Sequence, residues 1–502
     1  MILGDVVDTL RTLLATPPGA ELELAAETPV AAIAYDSRRV VPGSVFVALK
    51  GLKADGDAFA EQAMSRGARA IVSQSPQRSG VAVPWIVVRD ARLALALLAD
   101  RFFHHPSRRM PVIGVTGTNG KTTTSYLLCA ILDAAGLRAG MLGTVAYRIA
   151  GEDREASRTT PEAPDVQLLL NEMLERGSKS AVMEVSSHAL SLKRVDGMRF
   201  AAGVFTNLTR DHLDFHDDME AYFAAKRRLF EMLPPDAPAV VNIDDPRGAD
   251  MGAAATRSVT YAIGKAADVT PGPLEVSLEG LEFDARTPKG QVHIRSTLVG
   301  RPNVYNILAA VAATTALDVP IVAVERGIAG LQGVPGRFER ASAASDDITV
   351  IVDYAHTDDA LRNLLEMARP LAQRRLITVF GAGGDRDRTK RPLMGMVAAR
   401  LSDVVVITSD NPRSEDPRRI IDEVILGAQP ETRQRDVELL TIVDRREAIL
   451  HAVSHAEPGD LVLIAGKGHE KYQEIGGKSL PFDDVAVARE ALDARRHRVR
   501  VG

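Results

Sequence analysis

The chain has 502 residues, of which 45% are hydrophobic and 25% are charged, with a formal net charge of −5. This composition is typical of a globular protein, and the length predicts about three domains. The charge excludes a broad basic surface for nucleic acid, and no apolar run reaches the roughly 18 residues of a membrane span. The single cysteine, Cys129, excludes an internal disulfide. With no basic-then-apolar leader at the N-terminus, we predict a cytoplasmic protein.

Residues 1–109 predict a small α/β domain, because short β-type runs alternate with helical stretches. The β-type runs are 44–49, 70–72 and 85–88, and the clearest helical stretch is 90–103. Segment 35–38, Tyr-Asp-Ser-Arg, places three polar groups before a turn, which fits a ligand-binding loop or an ordinary surface loop equally well. Residues 104–109, His-His-Pro-Ser-Arg-Arg, predict a linker.

The stretch VIGVTGTNGKTTT, which follows the linker, predicts a strand, a phosphate-binding loop and a helix. Gly117 and Gly120 allow a tight turn whose N–H groups face a polyphosphate. Lys121 adds a positive charge, and Thr122 offers a hydroxyl for Mg²⁺. The general pattern G-x-x-x-x-G-K-[ST] requires glycine at position 115 but finds Val115, so the match to that pattern is incomplete.

Residues 110–338 predict a nucleotide-binding domain with a largely parallel sheet, because β-type runs at 181–185, 203–205 and 240–242 recur between helices. Polar residues follow the first two runs, where ligands gather at the carboxyl ends of parallel strands. One turn carries two carboxylates and two imidazoles, which fits either a magnesium site or a solvated turn. Its members are Asp211, His212, Asp214 and His216.

Residues 339–502 repeat the α/β pattern with β-type runs at 348–352, 376–380, 404–408 and 461–465. A polar cluster follows each run, so we expect the four clusters to share one cleft. The Gly-Ala-Gly-Gly sequence at 381–384 lacks the third glycine of a dinucleotide fingerprint, which disfavours a redox site.

Three motifs together resemble the Mur ligase family: TGTNGKTT at 116–123, EVSSH at 184–188 and NLTRDH at 207–212. The segments AAKRRLF at 224–230, GRPNVYN at 300–306 and GVPGRFE at 333–339 resemble further family signatures. The family's phosphate loop has this tighter form, which accounts for Val115. Such ligases are ATP-dependent and extend a UDP-linked muropeptide by one amino acid through an acyl phosphate.

The resemblance implies a three-domain α/β architecture. Residues 1–109 are the expected UDP-binding domain, 110–338 the ATP-binding domain with a mostly parallel P-loop-type sheet, and 339–502 a Rossmann-like domain for the amino acid. It also implies closure of the third domain about the 338–342 linker. We expect a monomer. Asp358 stands where the family usually has proline, and aspartate is acceptable in a first helical turn.

The resemblance further implies two Mg²⁺ ions and a carbamate formed from CO₂ on Lys226, which converts that lysine into an oxygen ligand. The implied metal ligands are Thr122, Glu184, His212 and Lys226. The implied catalytic residues are Lys121, Glu184, His212, Lys226, Arg337 and Asp353. The implied ATP-binding residues are Gly117, Thr118, Asn119, Gly120, Lys121, Thr122, Thr123, Asn303, Asn306, Arg337, Tyr354 and His356. The implied UDP-muropeptide residues are Ser37, Thr159, Thr160, Ser186 and Arg194.

The sequence DNPR at 410–413 resembles the signature of Mur ligases that add meso-diaminopimelate rather than L-lysine. Diaminopimelate carries a second carboxylate, which the guanidinium of Arg413 can grip with two hydrogen bonds. The residues implied around this amino acid are Arg386, Asp410, Asn411, Pro412, Arg413, Gly466 and Glu470, with Glu470 facing an ammonium group.

Three alternatives remain open from the sequence. The chain could add L-lysine, or be a relative of the ligases that extend folate with glutamate, since both share this phosphate-loop chemistry. Outside the enzymes, it could be a nucleotide-binding regulatory switch. Arg413 argues against lysine, and the four polar clusters of the third domain favour a substrate cleft over a switch.

Overall fold

The computed structural model describes the backbone of residues 1–17, 19–51, 54–77 and 79–501, and side chains up to residue 497. It contains three successive α/β regions, each with its own wholly or mostly parallel sheet and buried core. Along the described helices, none is long and apolar enough to cross a membrane.

The first region is a four-stranded parallel sheet in the order β1-β2-β3-β4. Val45 and Val47 of β2 join the core on one face, and Phe46 joins the core on the other, as expected for a strand buried on both sides. The elements are α1 (Leu3–Leu10), α2 (Ala20–Leu24), β1 (Ala32–Ala34), β2 (Ser44–Val47), α3 (Ala60–Ser65), β3 (Ala70–Ser73), β4 (Trp85–Val87) and α4 (Ala91–Phe102).

The predicted linker at 104–109 is partly helical. Pro106 begins the single turn α5 (Pro106–Arg109), because proline suits the first position of a helix. His104 and His105 both have positive φ, and His105 Nδ1 lies 2.5 Å from Asp100 Oδ2. The connection therefore contains one helical turn and one side-chain contact to α4.

The second region is built on an eight-stranded sheet in the order β12-β11-β10-β5-β9-β6-β7-β8. The pairs from β12 to β6 are parallel, as predicted, and β7 and β8 add an antiparallel edge. The elements are β5 (Val112–Thr116), α6 (Lys121–Ala134), β6 (Ala139–Leu142), β7 (Ala146–Ile149), β8 (Glu152–Glu155), α7 (Ala163–Glu175), β9 (Ser180–Glu184), α8 (Ser187–Ser191), β10 (Ala202–Phe205), α9 (Met219–Glu231), β11 (Pro238–Asn242), α10 (Gly248–Gly252) and β12 (Arg257–Tyr261).

A small antiparallel sheet, which the sequence reading missed, follows in the order β13-β15-β14, with β16 also paired to β15. Its signal is the alternation of buried Leu281, Phe283 and Ala285 in β15, which packs against the same core as α6. The elements are β13 (Thr270–Pro271), β14 (Glu275–Val276), β15 (Leu281–Thr287), β16 (Gly290–Ser296), α11 (Arg301–Ala316) and α12 (Ile321–Gly330).

The third region is a six-stranded sheet in the order β17-β18-β22-β19-β20-β21, parallel except for β17. The four predicted runs form its centre, and the short edge strands β17 and β21 were not predicted. The elements are β17 (Glu339–Arg340), β18 (Thr349–Asp353), α13 (Asp358–Ala368), β19 (Leu376–Phe380), α14 (Lys390–Leu401), β20 (Val404–Ile407), α15 (Pro417–Thr432), β21 (Glu438–Thr441), α16 (Arg445–His455), β22 (Leu461–Ala465), β23 (Tyr472–Ile475), β24 (Lys478–Pro481) and α17 (Asp484–Val501).

Candidate active site

The phosphate loop connects β5 to α6 through two glycines that the surroundings require. A Cβ atom at Gly117 would lie 1.8 Å from Thr206 Oγ1, and one at Gly120 would lie 2.4 Å from Asn306 Oδ1. Gly120 also has φ +88°, in the left-handed region that favours glycine. Neighbouring polar groups therefore pack directly against the loop backbone, and the predicted strand, loop and helix are all present.

Two lysines meet on this loop. Lys121 Nζ donates to the carbonyl oxygens of Gly117 and Thr118 at 2.8 and 2.9 Å, and Lys226 Nζ donates to the same Gly117 oxygen at 2.8 Å. Lys226 comes from α9, is buried, and lies 4.4 Å from the ring centroid of Tyr222. Burial lowers the pKa of Lys226 well below its usual range, and the charge of Lys121 lowers that pKa further. Both effects favour the uncharged form of the Lys226 amine.

Glu184 ends β9 and is fully buried beside the loop. Its Oε1 accepts from the Thr144 N–H at 2.9 Å, and its Oε2 accepts from the Thr144 hydroxyl at 2.8 Å. Burial lowers the pKa of Lys121, and the charge of Glu184 opposes that shift. Thr144 was not predicted from the sequence, because it lies on the short connection between β6 and β7.

Four of the five predicted muropeptide residues gather around Glu184. The Thr160 hydroxyl donates to the Glu184 backbone oxygen at 2.8 Å, and Arg194 Nη1 donates to the Thr160 backbone oxygen at 3.0 Å. Ser186 N–H donates to the Thr160 hydroxyl at 3.1 Å. The remaining two members are Thr159, whose hydroxyl lies 3.1 Å from that of Thr144, and Ser37, which stands apart in the first region and donates to Gln62.

The turn after β10 is partly buried, with His216 in the interior and Asp214 exposed. His212 has φ +54°, and its Nε2 lies 3.3 Å from Asp211 Oδ2. Burial lowers the pKa of His212 to about 3, so its imidazole is neutral at neutral pH. His216 Nε2 lies 2.9 Å from Ser187 Oγ, which commits that imidazole to a local hydrogen bond.

Arg337 links the loop to the third region. Its Nη2 donates to Thr122 Oγ1 at 3.3 Å, and its guanidinium carbon lies 4.6 Å from the Tyr354 ring centroid. Asp353 accepts the Phe338 N–H at 2.7 Å, which fixes the residue next to Arg337. Burial raises the pKa of Asp353, and the charge of Arg337 opposes that rise.

The remaining residues of the predicted nucleotide site lie around the same loop. Asn306 Nδ2 donates to Asn303 Oδ1 at 2.9 Å, and Asn306 Oδ1 accepts from Thr124 at 3.4 Å. Asn119 Nδ2 donates to Asp359 Oδ2 of α13 at 3.2 Å, a direct contact between the second and third regions. The other predicted members are Thr123, which is buried in the first turn of α6, and His356, whose ring lies 4.6 Å from that of Tyr354.

A cavity of about 410 Å³ lies between these two regions, and all four polar clusters of the third region contribute to it, as predicted. The second region supplies part of the wall from the turn after β10, including His212 and Asp214. The predicted amino-acid residues that line the cavity are Arg386, Asp410, Asn411, Arg413, Gly466 and Glu470. Pro412 does not line the cavity. Its carbonyl oxygen packs against Gly384, where an added Cβ atom would lie only 1.9 Å from that oxygen.

Arg413 is held from two sides. Its Nη1 donates to the Gly384 carbonyl oxygen at 2.7 Å, and its Nε lies 2.8 Å from Glu474 Oε2. Backbone bonds join the same turn to the hairpin β23–β24, because Arg413 N–H donates to the Glu474 oxygen and Gly476 N–H donates to the Arg413 oxygen. With φ +53°, Arg413 occupies the left-handed region at a modest cost in strain.

Two buried cations behind this cavity were missed by the sequence reading. Lys467 Nζ donates to Asn411 Oδ1 at 2.9 Å and to Glu470 Oε2 at 3.0 Å. Arg391 donates to both oxygens of Glu415, at 2.7 and 2.9 Å. Each side chain has a partner distant in sequence, Asn411 for Lys467 and Glu415 for Arg391, and local spacing does not reveal such pairs.

The donors present suit magnesium bound mainly through phosphate oxygens and water. Within the described ranges, no group of three or more His, Cys, Asp or Glu side chains is arranged to hold a metal ion unaided. Mg²⁺ commonly uses only one or two protein oxygens with substrate phosphates, so this arrangement fits. Thr122 and Glu184 are the oxygen donors beside the phosphate loop.

Comparisons with known proteins agree with this geometry. The Mur ligase middle domain matches residues 115–314, the Mur ligase glutamate ligase domain matches 336–468, and the Mur ligase family catalytic domain matches 29–103. The chain therefore belongs to the Mur ligase family of ATP-dependent ligases, which confirms the resemblance and the predicted fold.

Three relatives carry the same name, "UDP-N-acetylmuramoyl-L-alanyl-D-glutamate--2,6-diaminopimelate ligase". The Solibacter usitatus protein is 49% identical, with 98% of each chain covered. The Gloeobacter violaceus protein is 49% identical over 93% of this chain and 95% of its own. A solved structure of this name is 35% identical, covers 94% of this chain and 96% of its own, and superposes with a TM-score of 0.67.

Proposed function

We propose that the protein adds meso-diaminopimelate to the D-glutamate of UDP-N-acetylmuramoyl-L-alanyl-D-glutamate, with ATP as cosubstrate, in the cytoplasmic synthesis of peptidoglycan precursors. The observation that carries this proposal is Arg413, which lines a polar cavity whose opposite wall includes the turn after β10. The names of the relatives support the same reaction. We also propose that the protein acts as a monomer, with domains 1–109, 110–338 and 339–502.

In the first step, the free carboxylate of the muropeptide attacks the γ-phosphorus of ATP, giving an acyl phosphate and ADP. The loop glycines present N–H groups to the phosphates, and Lys121 and Arg337 offset the negative charge of the transferring group. Bound Mg²⁺, held by Thr122, Glu184, His212 and Lys226 as its carbamate, would neutralise further charge on the phosphoryl oxygens. The protein needs no covalent nucleophile of its own.

The environment of Lys226 supports the carbamate. The nitrogen lone pair of an uncharged amine attacks the carbon of CO₂, and one proton leaves to water. Burial and the charge of Lys121 lower the pKa of Lys226, which favours the uncharged amine that this step requires. The product is an anion beside Lys121, so the pair becomes attractive once the carbamate has formed.

The muropeptide would reach the loop along Thr159, Thr160, Ser186 and Arg194, which surround Glu184. We place the uridine end at Ser37 in the first region. The proposed binding site therefore extends over two regions. The substrate requires this because it is long, with a nucleotide at one end and the reacting carboxylate at the other.

In the second step, the amine of diaminopimelate attacks the acyl carbon and displaces phosphate, forming the amide bond. Arg413 and Arg386 would bind the distal carboxylate, and Glu470 the distal ammonium. Arg413 already donates to Gly384 and Glu474, which leaves further N–H groups of its guanidinium for a carboxylate. L-lysine would leave those donors unpaired, which disfavours it.

The test measures phosphate release from ATP with the UDP-dipeptide and either diaminopimelate or L-lysine. We expect release to require all three substrates and to favour diaminopimelate at least about 100-fold in kcat/KM, since a polar site rejects an analogue that lacks its partner group. Preference for lysine would overturn the specificity. Normal ATP binding without binding of the UDP-dipeptide would instead favour the regulatory-switch alternative.

A further inference from the structure

Lys467 is a fully buried charged group next to the amino-acid cavity. It lies two residues after the end of β22, the strand between β18 and β19, and its side chain has no exposed surface. A lysine is almost never fully buried unless it is paired, so its surroundings are built to hold an ammonium group. The cavity wall does not include Lys467, which therefore acts from behind that wall.

Its partners are three residues that do line the cavity. Lys467 Nζ donates to Asn411 Oδ1 at 2.9 Å and to Glu470 Oε2 at 3.0 Å, and it lies 3.7 Å from Asp410 Oδ1. Its Nζ also lies 5.6 Å from the ring centroid of Tyr472, another lining residue. The Lys467 ammonium group thus contacts side chains from two loops, Asn411 after β20 and Glu470 after β22.

These contacts determine which atoms of Asn411 and Glu470 are available to a ligand in the cavity. Asn411 Oδ1 also accepts the Glu474 N–H at 3.0 Å, so the amide oxygen faces inward and Asn411 Nδ2 donates to Glu470 Oε2 at 2.9 Å. Lys467 and Asn411 both bind the same Glu470 oxygen, which leaves Oε1 for a ligand. The charge of Lys467 also offsets one of the two carboxylates, Asp410 and Glu470, that stand close together.

We propose that Lys467 is a positioning and specificity residue of the amino-acid pocket, which fixes Asn411 and Glu470 and tunes the pocket for a distal group bearing both an ammonium and a carboxylate. The inference rests on the proposed function and deepens it. Diaminopimelate at neutral pH has no net charge, whereas L-lysine carries one positive charge. Removing Lys467 makes the pocket more negative, which penalises diaminopimelate more than lysine.

The test is Lys467→Met, which has a similar length and no charge. We expect the KM for diaminopimelate to rise at least about tenfold, because the change leaves Glu470 buried without its cation. The preference for diaminopimelate over L-lysine should narrow at least about fivefold. The KM values for ATP and the UDP-dipeptide should stay within about twofold, since neither would contact this part of the cavity.

Asp460 provides the matched control. It is equally buried at the opposite end of β22, where it pairs with Arg375 at 2.7 Å, and it lies outside the cavity lining. Asp460→Asn should lower the melting temperature without raising the KM for diaminopimelate. If the methionine variant does not fold, Lys467→Gln replaces it, because glutamine is also neutral and keeps a donor for Asn411. We expect the same changes in KM and in substrate preference for that variant.

The outcomes separate the two claims. No diaminopimelate-dependent phosphate release by the unaltered protein would overturn the proposed function and this inference with it. An active protein whose folded Lys467 variants keep the parental KM for diaminopimelate would overturn the inference alone. So would a parallel rise of all three KM values, which is the pattern of general structural damage.

Discussion

Lys121 and Lys226 donate to one and the same carbonyl oxygen, that of Gly117, at 2.8 Å each. Two ammonium groups on one oxygen would repel each other, and burial from water strengthens that repulsion. Burial and the charge of Lys121 lower the pKa of Lys226, and this shift eases the repulsion because it favours the neutral amine. The shared contact places the Lys226 amine directly against the backbone of the phosphate loop.

The first prediction concerns the carbamate on Lys226. With ¹³C-labelled CO₂, we expect a carbamate carbonyl signal in the NMR spectrum of the protein, and its loss in Lys226→Met. The variant should also lose at least about 100-fold in kcat, because an anionic ligand for the phosphate-bound metal disappears. Lys179→Met, at an exposed lysine in the connection to β9, is the control. An unchanged spectrum in Lys226→Met would contradict the assignment.

A second prediction concerns the buried Arg391. It pairs with Glu415 and Glu423 and donates to the Gly383 oxygen at 3.1 Å, which ties the loop after β19 to α15. We expect Arg391→Met to lower the free energy of unfolding by about 3 kcal/mol, because two carboxylates lose their buried partner. Denaturant titration measures this.

The neighbouring Arg388 supplies the comparison for that experiment. It also pairs with Glu423, but its side chain is 65% exposed. Arg388→Met should change the free energy of unfolding by less than about 1 kcal/mol, as exposed ion pairs contribute little. Equal losses in the two variants would show that burial does not control the contribution of these arginines.

The third prediction concerns closure of the third domain about residues 338–342. Two contacts already join the second and third regions: Asn119 with Asp359 at 3.2 Å, and Arg210 with Asp387 at 3.5 Å. Small-angle scattering should show a smaller radius of gyration when a non-hydrolysable ATP analogue and the UDP-dipeptide are both bound. Arg210→Ala should weaken that compaction. No compaction of the unaltered protein with both ligands would count against closure.

The fourth prediction concerns stability against pH. Burial lowers the pKa of His469 to about 3, against about 6.5 in an unfolded chain. Between these values the unfolded state binds more protons, so the contribution of His469 to stability is complete above about pH 6.5 and is lost as the pH falls. The melting temperature of His469→Gln should therefore drop less between pH 7 and pH 5 than that of the parent. His293→Gln, at a half-exposed site, should follow the parent; matching slopes for all three proteins would refute the prediction.

The sequence predicted the polar ends of the central strands well, because buried β-type runs and the residues after them are local signals. The loop at 117–120 and the clusters after β18, β19, β20 and β22 stand where expected. Parallel strands bring their carboxyl ends to one edge of the sheet, so the order of strands and helices was enough to predict that the clusters share a cavity.

The residues that support the site were not predictable in the same way. Lys467 is buried because Asn411 and Glu470 accept its N–H groups, and Asn411 lies 56 positions away in sequence. Thr144 and Arg391 are likewise held by residues distant in sequence, Glu184 and Glu415. The edge strand β21 is short and partly exposed, so it lacks the buried run that identified the central strands.

The most direct test of the central claim is a competition experiment. The protein receives ATP, the UDP-dipeptide and equal concentrations of diaminopimelate and L-lysine, and the products are identified by mass spectrometry. We predict the diaminopimelate product almost exclusively from the parent, and a mixture with at least about tenfold less of that product from Arg413→Ala, because a paired carboxylate loses its guanidinium. Arg433→Ala, at an exposed arginine after α15, should match the parent. A parent that yields mainly the lysine product would contradict the account.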